Sequence, residues 1–369
     1  MRSDIHSFSP WRRLVLNFLG FLAIPVGLSC AQGVDPQKAT ADPDGKTLWY
    51  NGQDLRVEGK GWTDTQSFYD RLPARAEGKA TPAVWGLSHN SAGMCVCFST
   101  DATSIQVRWS VISKNLAMPH MPATGVSGID LYSKNDQGAW FFVGNGRPAA
   151  VTNTSQFATT PGRPCLLYLP LYNGVKSIEV GIPKDKTLST PEVVFKQPKP
   201  VVFYGTSITQ GGCVSRPGMA CPAIVGRQLD VSTINLGFSG SGQMEPIMAD
   251  LLAELDPSVY MLDCLWNMSP DLVSERLEPF IRKLRAVHPD TPILLAEDSS
   301  IHNKPTEKGN RTRAICEKLT AEGMKNLHFL SNQGMIGGDG EGTVDGCHMT
   351  DLGMLRQAEA FVASLRPLL

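Results

Sequence analysis

Residues 201–212 read VVFYGTSITQGG: an apolar and aromatic run, a glycine, a serine in a short polar stretch, then a Gly-Gly pair. An unbroken apolar run bounded by turn residues is the pattern of a strand buried on both faces, as in parallel sheets. The same kind of run recurs downstream at STINLGF (232–238), SVYMLDCLW (258–266), PILLAED (292–298) and NLHFLS (326–331). Helix-patterned stretches lie between them at about 218–229, 245–255, 269–287 and 310–323, and a last one covers 351–367. Pro270 near a first turn and Gly323 past a last one act as start and stop signals. Strands alternating with helices through short connections predict an α/β domain over 200–369, with a five-stranded parallel sheet and helices on both faces. Such sheets place their chemistry in loops at the carboxyl ends of the strands.

Upstream the grammar differs. MCVCFST (94–100), SIQVRWSVI (104–112), GIDLYS (128–133), AWFFVG (139–144), CLLYLPLY (165–172) and SIEVGIP (177–183) are short β-like runs separated by Gly, Asn, Asp and Pro turns. That spacing predicts an antiparallel, jelly-roll-like β-sandwich domain over 34–195. KQPKP (196–200) reads as the linker, its prolines and lysines ending the sheet.

A length of 369 residues fits two domains, and 42% apolar residues supply real cores. With 34 basic and 35 acidic residues the formal charge is −1, which argues against a nucleic-acid or polybasic membrane partner. Residues 1–31 read as a signal peptide: Arg2, Arg12 and Arg13 precede LVLNFLGFLAIPVGL (14–28), an apolar run too short and too broken by Pro25 for a membrane span. Cleavage after Ala31 would export the chain to the periplasm or medium, and a lipoprotein anchored through Cys30 is the alternative. No integral span is expected in the mature chain. Nine cysteines are scattered without zinc-site spacing, so no metal is expected. Cys213 and Cys221 are the first pair to suspect of a disulfide, and Cys95 and Cys97 should share one face of a strand.

Ser207 follows its strand at once, with Gly205 and Gly211-Gly212 allowing a tight turn that leaves backbone N–H groups free. A serine there is more often a cap or turn residue than a nucleophile, and the surroundings are not Gly-x-Ser-x-Gly, since position 209 is Thr209. DGCHMTDLG (345–353) places Asp345 three residues before His348, with Asp351 positioned to cap the final helix. A carboxylate there can accept from His Nδ1–H and leave Nε2 facing a serine, although a capping acid beside an exposed histidine is the blander reading. The other histidines are weaker bases: His288 ends a helix, His328 lies in a strand, and His89 and His120 belong to the upstream half. His302, in the loop after the fourth strand, is a possible substrate contact. NLGFSG (235–240) and LWNM (265–268) close two further strands, and Gly240 N–H and the Asn267 amide are candidate donors to an oxyanion.

The ordered set Ser207, Gly240, Asn267, Asp345 and His348 resembles the SGNH (GDSL-type) hydrolase superfamily. YGTSITQGG, NLGFSG, LWNM and DGCHMTDLG stand for its four blocks, in order, over 200–369. The resemblance implies a flavodoxin-like three-layer domain with Ser207 as nucleophile, His348 as base and Asp345 as its orienter. It also implies an oxyanion hole of Ser207 N–H, Gly240 N–H and the Asn267 side chain, and no cofactor. Thr206 replaces the family's aspartate, Leu265 a glycine before the asparagine, and Met349 a proline after the histidine. Leu265 and Trp266 should reshape the pocket floor, which makes Trp266 a candidate substrate contact. GIDLY (128–132) resembles the Gly-x-Asp-Leu-Tyr signature of an N-terminal β domain joined to SGNH domains in bacteria, and Asp130 and Tyr132 are candidates for the contact between halves, although a plain structural role is the one expected of them.

The expected activity is hydrolysis of O-acyl, chiefly O-acetyl, esters on a carbohydrate through an acyl-enzyme. Trp62, Trp85, Trp109 and Trp140 offer surfaces for stacking on sugars, although buried packing is the role expected of most of them. A lipid-ester or thioester hydrolase is the nearest alternative, and a catalytically inactive carbohydrate-binding protein is the alternative of another class.

Overall fold

Alternate residues of the 201–205 run enter different cores. In the computed structural model, which describes residues 32–191 and 194–369, Val202 and Tyr204 join one apolar cluster and Val201 and Phe203 join another. These clusters lie on opposite faces of one sheet, so both side-chain sets of the strand must be apolar. The sheet contains β1 (Gln197–Gly205), β2 (Val231–Gly237), β3 (Val259–Asp263), β4 (Ile293–Ala296) and β5 (Leu327–Leu330), all parallel, in the order β2-β1-β3-β4-β5. Helices Cys221–Leu229 and Asp351–Leu365 pack on one face, and Pro246–Leu252, Pro270–Val287 and Glu307–Ala321 pack on the other. Gly205, at the carboxyl end of β1, lies opposite Gly237 of β2 and Asp263 of β3. The order reverses at this point, and a crevice opens there in sheets of this kind.

KQPKP is not a break in the sheet. β1 already begins at Gln197, which pairs with Val231, and the register then shifts before Val201 pairs with Thr233. Pro198 and Pro200 have no N–H to give to the ladder, which explains an interruption within the strand rather than an end to it.

Residues 32–190 form two antiparallel sheets. Ser104–Val111 shows why: Ile105, Val107, Trp109 and Val111 point into the core between the sheets, and the residues between them point outward. Thr152–Ala158 pairs with this strand at the edge of its sheet, but its sequence, TNTSQFA, carries too few apolar residues to signal a strand. Trp109 is in the sandwich core and donates from Nε1 to Ser127 O. Trp62 lies between the halves and donates to Glu254, Trp140 donates to Asp230, and Trp85 meets His89 edge-on.

The two halves interlock. The chain between strands Arg56–Glu58 and Cys95–Thr100 leaves the sandwich, and its Trp62, Leu72, Ala76, Ala80 and Val84 share a core with Leu236, Phe238 and Met248. On the other face of the parallel sheet, Met121, Val126 and Leu171 share a core with Val201, Phe203 and Ile224. The GIDLY residues join this contact. Asp130, fully buried, accepts from Asn145 Nδ2 (2.7 Å), from Arg216 (2.9 Å) and from Gly218 N–H (2.8 Å), and Tyr132 Oη accepts from Arg216 at 2.6 Å.

Three local expectations meet the structure. All eight described cysteines are free thiols, so Cys213 and Cys221 are not bonded, while Cys95 and Cys97 do lie side by side with Sγ atoms 3.9 Å apart. The final helix is capped by Thr350, whose Oγ1 accepts from Gly353 N–H at 3.1 Å. Asp351 instead is the first helical residue and binds the backbone N–H (2.9 Å) and hydroxyl (2.5 Å) of Ser215. Among the described residues no helix is long and apolar enough to cross a membrane. The expected signal peptide and Cys30 lie outside the described residues.

Candidate active site

Ser207 opens a single helical turn, Ser207–Gln210, immediately after β1. Thr206 is its N-cap and accepts from Ile208 N–H at 3.2 Å, a task open to threonine or aspartate alike. The Ser207 carbonyl accepts from Gly211 N–H (3.0 Å), Gly212 N–H (2.7 Å) and Tyr172 Oη (3.2 Å). The serine is thus fixed through its own backbone, and its N–H, at a helix start, has no protein acceptor among the described residues.

Its hydroxyl faces a histidine. Ser207 Oγ lies 2.9 Å from His348 Nε2, and His348 Nδ1 lies 2.8 Å from Asp345 Oδ2. Asp345 Oδ1 also accepts the backbone N–H groups of Cys347 (2.9 Å) and His348 (2.7 Å). Partial burial pushes the Asp345 carboxyl up, but the bonds from His348 and Cys347 prevail and hold it down at about 2. The carboxylate therefore stays ionised and fixes the imidazole with Nδ1–H toward it, leaving Nε2 free to take the serine proton.

The loop after β2 packs against the serine turn. A Cβ on Gly237 would lie 2.1 Å from Gln210 N, so only glycine fits. Gly237 N–H is committed to Asn235 Oδ1 at 2.9 Å. Gly240, at φ +64°, adopts a backbone conformation rare for other residues, and its N–H has no protein acceptor among the described residues. Asn267 lies on the other side of this loop, with its Nδ2 toward the carbonyls of Ser241 and Phe238. Its amide is thus turned to the loop backbone.

The two candidate substrate contacts fare differently. Trp266 is half-buried, donates from Nε1 to Ser299 Oγ at 3.2 Å, and carries the Lys308 ammonium 5.3 Å from its ring centre. It packs against the same cluster as Cys347, next to His348. His302 is exposed, and its backbone N–H bonds to Ser300 Oγ at 3.2 Å; no bond or ring contact joins it to the Ser207–His348 pair.

Arg71 and His120 of the upstream half, and Gln210 of the serine turn itself, shape the site without any local signal in the sequence. Arg71, 2% exposed, donates to the carbonyls of Asn235 (3.1 Å), Gly237 (2.6 Å), Leu87 (2.8 Å) and Asn90 (2.9 Å), and stacks on Phe238. Gln210 gives Nε2 to Leu171 O (3.0 Å) and Asn90 Oδ1 (3.1 Å), and accepts Ser239 N–H at 3.1 Å. His120 brings its ring centre to 6.2 Å from that of His348.

The chain is similar to known proteins in both halves. Residues 198–366 match the model of the GDSL-like lipase/acylhydrolase family, and residues 47–188 match the GxDLY model, the N-terminus of SGNH-hydrolase-type esterases. A Bacteroides ovatus protein described as a GDSL-like lipase is 34% identical over 87% of this chain and 98% of its own, with a TM-score of 0.81. A salicylyl acyltransferase from a tetracycline biosynthetic pathway shares the fold at 18% identity and a TM-score of 0.68, over 89% of this chain and 97% of its own. An acetyl xylan esterase of the rumen bacterium Butyrivibrio proteoclasticus shares it at 13% identity and 0.53, over 86% and 98%. No curated protein matches the chain. With both halves matched and a relative one-third identical along nearly its whole length, the chain belongs to the GDSL-like lipase/acylhydrolase family, as a serine esterase of SGNH type with a GxDLY N-terminal domain.

Proposed function

We propose that this esterase is exported and removes O-acetyl groups from carbohydrates, with Ser207, His348 and Asp345 as its catalytic triad. The observation that carries the mechanism is the hydrogen-bonded series from Ser207 Oγ through His348 to Asp345. His348 Nε2 takes the Ser207 proton as Oγ attacks the acyl carbonyl, and the carbonyl oxygen becomes an oxyanion. Ser207 N–H and Gly240 N–H are the two donors free to meet it. Asn267 joins them by turning its amide away from the Ser241 carbonyl. Each donor contributes on the order of 3 kcal/mol to the barrier reduction. Collapse breaks the acyl–oxygen bond, and His348 returns its proton to the departing alkoxide. Water, deprotonated by His348, then attacks the acyl-enzyme, and the acid leaves as Ser207 regains its proton.

The substrate class rests on two supports. The arginines and apolar run of residues 2–28 point to export, where polymeric glycans are met. The architecture is shared with the Butyrivibrio acetyl xylan esterase and with a Clostridium thermocellum family two carbohydrate esterase solved with cellohexaose. The test is acetate release from a panel of acetylated polysaccharides, with p-nitrophenyl acetate as control. Wild type should release acetate from at least one glycan, and Ser207→Ala should lower kcat by about 10⁴-fold or more on every ester. Preference rising with acyl chains beyond about six carbons, as transfer energy of ~0.8 kcal/mol per methylene would give in an apolar groove, would instead establish a lipid-ester enzyme. Glycan binding without turnover would leave a binding protein.

A further inference from the structure

We propose that His120, carried by the sandwich half, contacts the alcohol portion of the ester and favours alcohols that bear a hydroxyl beside the acylated oxygen. This rests on the ester-hydrolase reading of the Ser207 site. Pro119 and His120 form the tip of a two-residue turn between Met118 and Met121, whose backbones exchange hydrogen bonds of 3.0 and 3.1 Å. Met121 is 2% exposed, held in the core beside β1. The following residues grip the loop downstream of the serine: Thr124 Oγ1 donates to Ser215 O at 2.6 Å, and Gly125 packs so closely that a Cβ would lie 2.4 Å from Val214 O. The turn is therefore anchored to the nucleophile's own loop. His120 stands out from it exposed, and among the described residues no protein group hydrogen-bonds its ring.

Its ring centre lies 6.2 Å from that of His348, tilted by 38°. His348 Nε2 must hand its proton to the leaving oxygen, so that oxygen comes within hydrogen-bond distance of it. The alcohol carbons next to that oxygen are then within reach of His120. A phenol or a simple alkanol offers no hydrogen-bonding group there, whereas a sugar ring offers a neighbouring hydroxyl. An imidazole can donate to such a hydroxyl or accept from it. Once the bound alcohol displaces water from this imidazole, alcohols that lack the hydroxyl are disfavoured, because the ring is then left without a partner.

The test compares His120→Ala and His120→Gln with wild type, in the full chain, on p-nitrophenyl acetate and on partially O-acetylated xylo-, gluco- and manno-oligosaccharides. His120→Ala should lower kcat/KM on the best sugar ester about tenfold, mainly through KM, and leave the aryl ester within about twofold. His120→Gln, which keeps a donor and an acceptor, should recover part of the loss. Equal losses on both substrates would overturn the assignment by showing that His120 acts through His348, and so would no loss on either. Failure of wild type on every sugar ester, with the aryl ester still cleaved, would overturn the sugar reading and this inference together. That pattern is visible before any variant is made.

Discussion

The serine turn and the Asp345–His348 loop meet at one hydrogen bond but are built differently. Ser207 through Val214 are buried, and each constraint on them comes from the interior: the β1 strand, the close approach of Gly237, the Gln210 bonds and Tyr172. The other loop is at the surface. The Asp345 side chain is 48% exposed and that of His348 27%. This loop is held by the Thr343–Met349 bridge, by Thr350 Oγ1 donating to Glu341 O, and by the paired bonds from Arg356 to Asp339. The nucleophile is therefore placed by packing, and the base by a few exposed hydrogen bonds. Damage to the first should cost the fold, and damage to the second should cost turnover.

Within the exposed loop, the comparison is tested most strongly at Asp345. Asp345→Asn keeps an oxygen for the Cys347 and His348 N–H groups but presents an amide to His348 Nδ1, which favours the wrong tautomer. Initial rates should fall about 10³–10⁴-fold while the melting temperature stays within about 2 °C of wild type. A variant that melts much lower would show that the loop is structural after all. Gly237→Ala tests the opposite side. Its Cβ meets the Gln210 backbone, so the denaturation midpoint should drop by an amount equivalent to about 1–3 kcal/mol, or the chain should fail to fold. Normal stability in this variant would deny the serine turn its packed origin.

The smallest predicted effect is a pH slope, and it uses two carboxylates that the environment separates. Asp345 is held down at about 2, so its bond to His348 is complete above the unfolded carboxyl pKa of ~3.9 and is lost only as pH falls through about 2. Asp263, at the end of β3, is pushed up to about 7 by complete burial, with the Thr209 hydroxyl opposing and Asp298 assisting. Its unfolded form gives up a proton near pH 4 while the folded form keeps it, so this group erodes stability as pH rises from ~4 to 7. Asp263→Asn should flatten the fall in melting temperature between pH 5 and pH 8. Parallel curves for variant and wild type would refute it.

How much of this was legible in the sequence depended on how local the cause was. The parallel domain announced itself because strands buried on both faces must be apolar throughout, and the Asp345/His348 spacing of three could be read in one loop. Thr350 rather than Asp351 caps the last helix because two adjacent residues both suit that position, and the Ser215 backbone, 136 residues away, claims the aspartate. The Pro198 and Pro200 stretch looked like a boundary because proline cannot donate, but a strand tolerates the loss with a register shift. Arg71, Tyr172 and His120 were invisible as site residues. Their partners lie 166, 35 and 228 positions distant, and nothing near them in the chain marks those partners.

The buried Arg71 has a consequence for modularity. Its guanidinium binds carbonyls of both halves at once, two from its own segment and two from β2. Severed from the sandwich, the parallel domain would lose the donor for its Asn235 and Gly237 carbonyls and expose the apolar surface that Leu72, Ala76 and Val84 cover. The N-terminal half is thus not a transplantable accessory. Neither half can be exchanged or trimmed without supplying the other's missing core.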